Sequence, residues 1–411
     1  MSTFLEKLMV NDLKKIAIYL PQFHTIPEND KAWGAGFTEW TNVKKAKPLF
    51  EGHYQPHVPH HSVGYYDLRN TDTLKTQAEL AASNGIHGFA YYHYWFNGKR
   101  LLHEPLDAML ADKSITMPFC YIWANENWTR RWDGADKEVI IEQQYSEEDD
   151  LMHIEFLCRN VFNDPRYILV DGKPLFLVYR TELFPDIRKT AVAWRAKAQS
   201  LGYKDIYLVR MENFVRDIDP ISIGFDASME FAPDWACVES QPRMVGDKAV
   251  YDYVRTVFNM LVTRKPYKYF RSVFPGWDNT ARRATTSGSL FVNNDPGAFR
   301  FFLETQMHAT ISTFDNPAEQ LLFINAWNEW GEGCHIEPDE KSGMTYLDIC
   351  REAKPASAAG FTEWAAREIN ELRNFNTRTA AELGVTKAKL SHMTGRKYYK
   401  VAAWFAKKWR K

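Results

Sequence analysis

The sequence predicts a (β/α)8 TIM barrel, and three observations carry that prediction. Short apolar, β-branched and aromatic runs recur eight times along the 411 residues. The runs are continuous rather than alternating, as strands buried on both faces require. Between them lie stretches with apolar residues at helical spacing, the mark of successive βα units. A doubly wound sheet is the rival architecture, but neither GxGxxG nor a P-loop pattern follows the first run.

In chain order the predicted strands are Lys15–Pro21 (KIAIYLP), Ile86–Trp95 (IHGFAYYHYW), Met117–Asn125 (MPFCYIWAN), Pro174–Arg180 (PLFLVYR), Asp205–Asn213 (DIYLVRMEN), Phe225–Pro233 (FDASMEFAP), Tyr269–Trp277 (YFRSVFPGW) and Leu321–Trp330 (LLFINAWNEW). Helices are predicted over Thr71–Asn84, Glu147–Phe162, Asp186–Leu201 and Pro296–Thr310. Long loops follow strand 1 (Gln22–Tyr65) and strand 3 (Glu126–Tyr145), and a barrel builds its site from loops at these strand ends. Beyond Lys354 the composition shifts to Ala, Glu, Lys and Arg, with a last barrel helix expected over Ala358–Phe375. The barrel domain is therefore assigned to 1–375 and a basic helical extension to 376–411.

Composition narrows the function. With 45% hydrophobic and 25% charged residues, and 51 basic against 52 acidic, the chain reads as soluble and globular, with no charge bias toward nucleic acid. No run approaches a membrane-spanning length. Charges at Glu6, Lys7, Asp12, Lys14 and Lys15 interrupt any secretory h-region, and five widely spaced cysteines fit reduced thiols, so a cytoplasmic location is expected. The exception to a neutral surface is Arg396–Lys411, which has seven Lys or Arg, no acid, and Tyr398, Val401, Phe405 and Trp409 on one helical face. Two readings stand for it: peripheral contact with an anionic membrane, or a helix docked on the barrel.

Two Asn-Glu pairs fall at strand ends, Asn125-Glu126 and Asn328-Glu329, and Glu332 lies three residues past Glu329. Carboxylates at a barrel mouth suit glycosidic chemistry, where one holds a proton for the leaving oxygen and another acts as base or nucleophile. The 15% aromatic content, with 14 Trp, fits the same picture, since flat rings cover the C–H faces of sugars. Predicted catalytic residues are Glu329 and Glu332; predicted carbohydrate contacts are Glu39, Trp40, His93, Trp95, Trp123, Glu126, Trp128, Asp133, Asn328, Trp330 and His335. His57, His60 and His61 (HVPHH) are close together, but without HExxH or a Cys cluster no metal or cofactor is expected. A serine hydrolase is unsupported, since no GxSxG is present.

The segments KIAIYLPQFH, GFTEWTNV, GIHGFAYYHYWF, WANENWTRRWDG, DGKPLFLVYR and NAWNEWGEGCHIEPD, spread over roughly residues 15–350, resemble the WbsX-like family of bacterial surface-polysaccharide proteins. That family carries a glycosyltransferase label, yet is similar to the family 99 endo-mannosidases, which are TIM barrels. Their N-E-W-x-E-G motif is matched here by Asn328, Glu329, Trp330, Glu332 and Gly333. The resemblance implies that Glu329 takes a proton from a sugar 2-hydroxyl, which attacks the anomeric carbon to give a 1,2-anhydro sugar, while Glu332 serves as acid and then base. Burial against Trp330 is expected to keep Glu332 protonated. Three functional classes stay open: a glycoside hydrolase acting on a surface polysaccharide or its precursor, a glycosyltransferase building one, and a non-catalytic glycan-binding barrel.

Overall fold

The computed structural model describes residues 13–130 and 135–356. Asp133, the expected helix 358–375 and the basic tail lie outside them. Eight parallel strands form the barrel: β1 (Lys14–Tyr19), β2 (Gly88–Phe96), β3 (Phe119–Trp123), β4 (Lys173–Val178), β5 (Tyr207–Glu212), β6 (Ala227–Glu230), β7 (Tyr269–Val273) and β8 (Leu321–Ile324). Each pairs with its neighbour in sequence, and β1 pairs with both β2 and β8, which closes the sheet. All eight predicted strands are therefore present, and closure removes the exposed edges of an open sheet.

The helices are α1 (Thr71–Ser83), α2 (Glu104–Ala111), α3 (Glu147–Asn160), α4 (Ile187–Ser200), α5 (Tyr253–Val262), α6 (Pro296–Thr313) and α7 (Thr345–Glu352). Their starts follow from capping side chains: Asn70, Ser146, Asp186, Asp252 and Asp295 each accept a backbone N–H of the first turn. Each such cap is worth about 1 kcal/mol. After β5 only a 3-10 turn, Pro220–Ile223, replaces the helix. The helix after β8 is α7, ahead of the segment 358–375 expected to hold the last barrel helix.

Strand alternation sorts the core into two layers. The registers put Ile18, Ala90, Ile122, Leu177, Val209 and Met229 on the inner wall, an aliphatic filling. The opposite parity faces the helices and is aromatic: Tyr19 packs on Tyr91 at 4.6 Å, His93 on Tyr121 at 5.2 Å, and Trp123 on Trp194 at 6.0 Å. Much of the aromatic excess thus belongs to the sheet–helix layer rather than to a ligand.

Four long loops crown the C-terminal ends, where two were expected. The loop after β1 carries short helices Pro27–Trp33 and Glu39–Lys45, and that after β3 a hairpin of Trp128–Arg130 with Ala135–Ile141. The loops after β6 and β7 join in a three-stranded sheet of Arg243–Val245, Lys248–Asp252 and Gly288–Val292. All five cysteines are buried thiols. Among the described residues no helix is long and apolar enough to cross a membrane.

Candidate active site

A cavity of about 560 Å³ opens at the C-terminal mouth of the barrel. Each strand contributes a residue from its C-terminal half or the loop just beyond it: Leu20, Tyr92, Ala124, Tyr179, Asn213, Phe231, Trp277 and Glu329, in order from β1 to β8. This is the face on which barrel enzymes place their chemistry. Glu126, Trp128 and Glu332 also line it, as do Tyr94, Trp235 and the inner face of the three-stranded sheet.

The loop after β8 is shaped by tight constraints. Asn328 and Glu329 pair antiparallel with His335 and Cys334, and the 3-10 turn Trp330–Glu332 between them ends on Gly333 at φ 55°. A side chain at Gly333 would have to adopt the left-handed region, and its Cβ would meet Asp278 at 3.0 Å. Gly331 is more constrained still: a Cβ there would lie 1.6 Å from a Glu39 carboxylate oxygen and 2.8 Å from Arg282 Nε. The two glycines of WGEG therefore make room for charged neighbours.

Those neighbours form a quartet. Arg282, from the loop after β7, donates from Nε to Glu39 at 2.7 Å, from Nη2 to Glu329 at 2.7 Å, and pairs through Nη1 with Glu332 at 2.6 Å. Exposure rises from nothing at the Glu39 side chain, through 8% at Glu329, to 19% at Glu332. Burial works against the charge of Arg282, yet the three carboxylates together hold its pKa well above the usual arginine value. Burial likewise pushes the Glu39 carboxyl up, against the pull of Arg282. Three potential negative charges thus face one positive charge in a desolvated corner, an arrangement able to take up and release a proton.

The structure brings together only part of the predicted set. Glu329, Glu332, Glu126 and Trp128 reach the cavity. Glu126 is held by Arg180, which also binds Glu182 at 2.5 Å, while Trp128 Nε1 donates to Asn29 at 3.1 Å. Glu39 stands behind Arg282 and outside the cavity lining, so it acts on the site through that guanidinium. The other predictions are corrected. Asn328 is wholly buried and pegs β8 to β1 by accepting from the Leu20 N–H at 2.8 Å and donating to the Leu20 carbonyl at 3.0 Å. Trp40 donates to the Tyr66 carbonyl, and Trp330 stacks on His335 with ring centroids 3.7 Å apart, so these three side chains pack beneath the loop. With Trp330 so engaged, the neighbour of Glu332 is the Arg282 guanidinium at 2.6 Å rather than the expected indole face.

His93, Trp95 and Trp123 fail for one shared reason, strand parity. His93 Nε2 meets His153 Nε2 at 3.0 Å, Trp95 donates to Asp149, and Trp123 packs on His153, all on the helix side. Burial pushes both histidines well below their usual pKa, which leaves them neutral. Their sequence neighbours Tyr92 and Tyr94 point into the cavity instead. Arg282 is not among the predicted residues; its one signal in the sequence is an Arg-Arg pair in the segment just beyond the seventh strand.

Comparison with known proteins agrees with the barrel fold. An uncharacterized protein WxcX of Xanthomonas campestris pv. campestris (strain B100) is 43% identical over 349 residues, covering 82% of this chain and 49% of the relative. A second strain's WxcX is 42% identical over 345 residues, with the same coverage. The chain thus spans about half the length of the curated relatives it matches. Among solved structures, a glycoside hydrolase-like protein superposes with a TM-score of 0.53 at 14% identity, covering 84% of this chain and 95% of that one. The GH99 endo-alpha-mannosidase from Bacteroides thetaiotaomicron gives 0.52 at 14% identity, covering 82% and 95%. At such identity the likeness is one of fold. A family model described as glycosyltransferase WbsX matches residues 15–350, nearly the whole barrel with its crown of loops, and the chain belongs to that family.

Proposed function

We propose that the chain is a carbohydrate-active enzyme that cleaves or rearranges glycosidic bonds in a bacterial cell-surface polysaccharide or its precursor, with Glu329 and Glu332 as catalytic carboxylates. The observation that carries this reading is that both reach one cavity at the barrel mouth and share one guanidinium. Tyr94, Trp128, Trp235 and Trp277 supply flat apolar surface around them, and Glu126 binds substrate hydroxyls from the β3 side. The hydrolase-like folds that superpose on the barrel support the same reading.

Two carboxylates on one turn reach opposite faces of an anomeric carbon with difficulty, as direct displacement would require. A neighbouring 2-hydroxyl removes the difficulty. Glu329 accepts its proton as the oxygen attacks the anomeric carbon, and Glu332 gives a proton to the departing oxygen. Water then opens the 1,2-anhydro ring, with Glu332 as base and Glu329 returning the proton to O2. Glu332 is the most exposed of the three carboxylates on Arg282, so it is the one best placed to exchange a proton with solvent and with the departing oxygen.

A second reading is favoured by the family's description as glycosyltransferases: a sugar hydroxyl, rather than water, receives the glycosyl group, from an activated donor. Incubation with surface polysaccharide, and separately with nucleotide sugars and acceptor glycans, distinguishes the two. Hydrolysis yields new reducing ends that both Glu329→Gln and Glu332→Gln lose. Binding and consumption of a nucleotide sugar without new reducing ends would replace the first reading by the second.

A further inference from the structure

A second cavity, of about 390 Å³, shares Trp277 with the first and is lined by the loops after β1, β7 and β8. The HVPHH segment divides at its edge. The His60 and His61 rings lie against one another at a tilt, with centroids 3.9 Å apart, and the His60 ring hydrogen-bonds Ser62 in an exposed position. His57 instead turns inward to meet His335 and Asp339 from the β8 loop. One ligating atom from each of the three lies within 4.8 Å of the others.

We propose that His57, His335 and Asp339 form a binding site for a divalent transition cation of the zinc class. Two imidazoles and a carboxylate are the donor set such ions take, and the open cavity leaves room for solvent as a fourth ligand. His57 Nδ1 and His335 Nε2 are 2.9 Å apart. Metal–nitrogen bonds of about 2.0–2.1 Å at a tetrahedral angle set such atoms about 3.3 Å apart, so the rings need to separate by only a few tenths of an ångström.

The surroundings already orient the donors. His335 Nδ1 lies 2.9 Å from the Glu337 carbonyl, which can only accept, so that nitrogen carries the proton and Nε2 presents its lone pair. A backbone carbonyl behind a ligating histidine is the usual support of a metal site. His57 Nδ1 therefore donates to His335 when no ion is bound. A cation replaces that proton, which moves to His57 Nε2 through solvent, so no net proton is released. Asp339 is fixed by the Ser342 N–H at 2.5 Å. The two loops are laced by backbone bonds from His60 to Pro338 at 2.9 Å and from Glu340 to Val58 at 2.8 Å. Lys341 also lines the cavity, with its ammonium over the Tyr54 ring at 4.6 Å, and Asp278 adds a negative charge.

His335 lies directly opposite Asn328 in the ribbon that carries Glu329, so a bound cation would tie the β1 loop to the catalytic turn. The test is calorimetric titration of untagged, chelator-treated full-length protein with Zn²⁺, and with Co²⁺ to read tetrahedral d–d absorption. One ion per chain with micromolar or tighter affinity is expected. His57→Ala and Asp339→Asn should each weaken binding at least tenfold, while His60→Ala with His61→Ala should leave it unchanged. If His57→Ala does not fold, Asp339→Asn decides on the same criterion. Affinity no tighter than millimolar, binding that Asp339→Asn leaves unchanged, or equal loss in the His60/His61 variant overturns the proposal.

Discussion

Glu329 and Glu337 are eight residues apart on the same loop and nearly equally buried, with 6% and 2% of the whole residue exposed, yet they occupy opposite electrostatic worlds. Glu329 has the Arg282 guanidinium at 2.7 Å and a carboxylate neighbour, Glu332, on the same cation. Glu337 has only neutral donors: Trp330 Nε1 and the Tyr66 hydroxyl, each at 2.8 Å, and the Gln77 amide at 2.6 Å. Burial outweighs those donors and pushes Glu337 up to about 7. The difference teaches that burial alone does not make a carboxylate chemical. A cation beside an open cavity keeps charge where a substrate can meet it, whereas neutral donors turn the second carboxyl into a pin under Trp330.

The sharpest way to break the comparison is to remove the cation. Arg282→Met leaves Glu39, Glu329 and Glu332 without their shared partner, and orphaning a buried charge typically costs about 3–5 kcal/mol. Urea denaturation should show a loss of that size. A loss under about 1 kcal/mol would mean that the quartet does not anchor the three loops it joins. Next in size is turnover on the substrate identified by the assay above. Glu329→Gln and Glu332→Gln should each lower kcat at least about 100-fold, equivalent to about 2.7 kcal/mol of barrier. A 2-deoxy substrate should not be cleaved; its efficient turnover would eliminate the anhydro-sugar route.

Glu337 sharpens the other half. Its folded pKa lies above the unfolded value, so its contribution to stability is complete below about pH 4.5 and is lost as pH rises through about 7. Glu230, also raised to about 7 by burial, acts with the same sign. Wild-type protein should therefore lose stability relative to Glu337→Gln between pH 5 and 8, by on the order of 2 kcal/mol. The neutral buried histidines His93 and His153 contribute in the opposite direction, but they are common to both proteins and cancel in the difference. Parallel pH profiles would show that Glu337 does not titrate in this window.

How much of this could be read from the chain divides along the same physical lines. Eight buried strands announce themselves because continuous apolar runs are local, and the NEWGEG turn does so because carboxylates, tryptophan and glycines crowd into six residues. Parity is a finer matter. In a strand that is apolar on both faces, such as AYYHYWF, no alternation of polarity tells Tyr92 and Tyr94 from His93 and Trp95, and imidazole and indole are the more chemical-looking pair. Arg282 escaped because its partners Glu39 and Glu329 are 243 and 47 residues away, and charge pairing across loops leaves no periodic trace. The His57–His335 contact, 278 residues apart, is hidden in the same way.

The smallest predicted effect concerns the carboxylate furthest from Arg282 in role. Glu126 follows β3, three strands round the barrel from β8, and it reaches the same cavity. An enzyme with its acid and nucleophile on opposite walls would use Glu126 with Glu329 across the cavity, at a carboxyl separation of about 5–9.5 Å. The environment of Glu126 argues for a binding role. Arg180 grips it while also holding Glu182, and the guanidinium lies over the Phe214 ring at 3.9 Å, so the carboxylate is fixed as a charged acceptor. A charged acceptor for sugar hydroxyls contributes about 1.5 kcal/mol, roughly tenfold in affinity. Glu126→Gln should therefore raise KM by about that factor with kcat within a few-fold of wild type, measured by steady-state kinetics. A fall in kcat as deep as that of Glu329→Gln, with KM unchanged, would move the second catalytic carboxylate to the β3 wall and reduce Glu332 to a partner of Arg282.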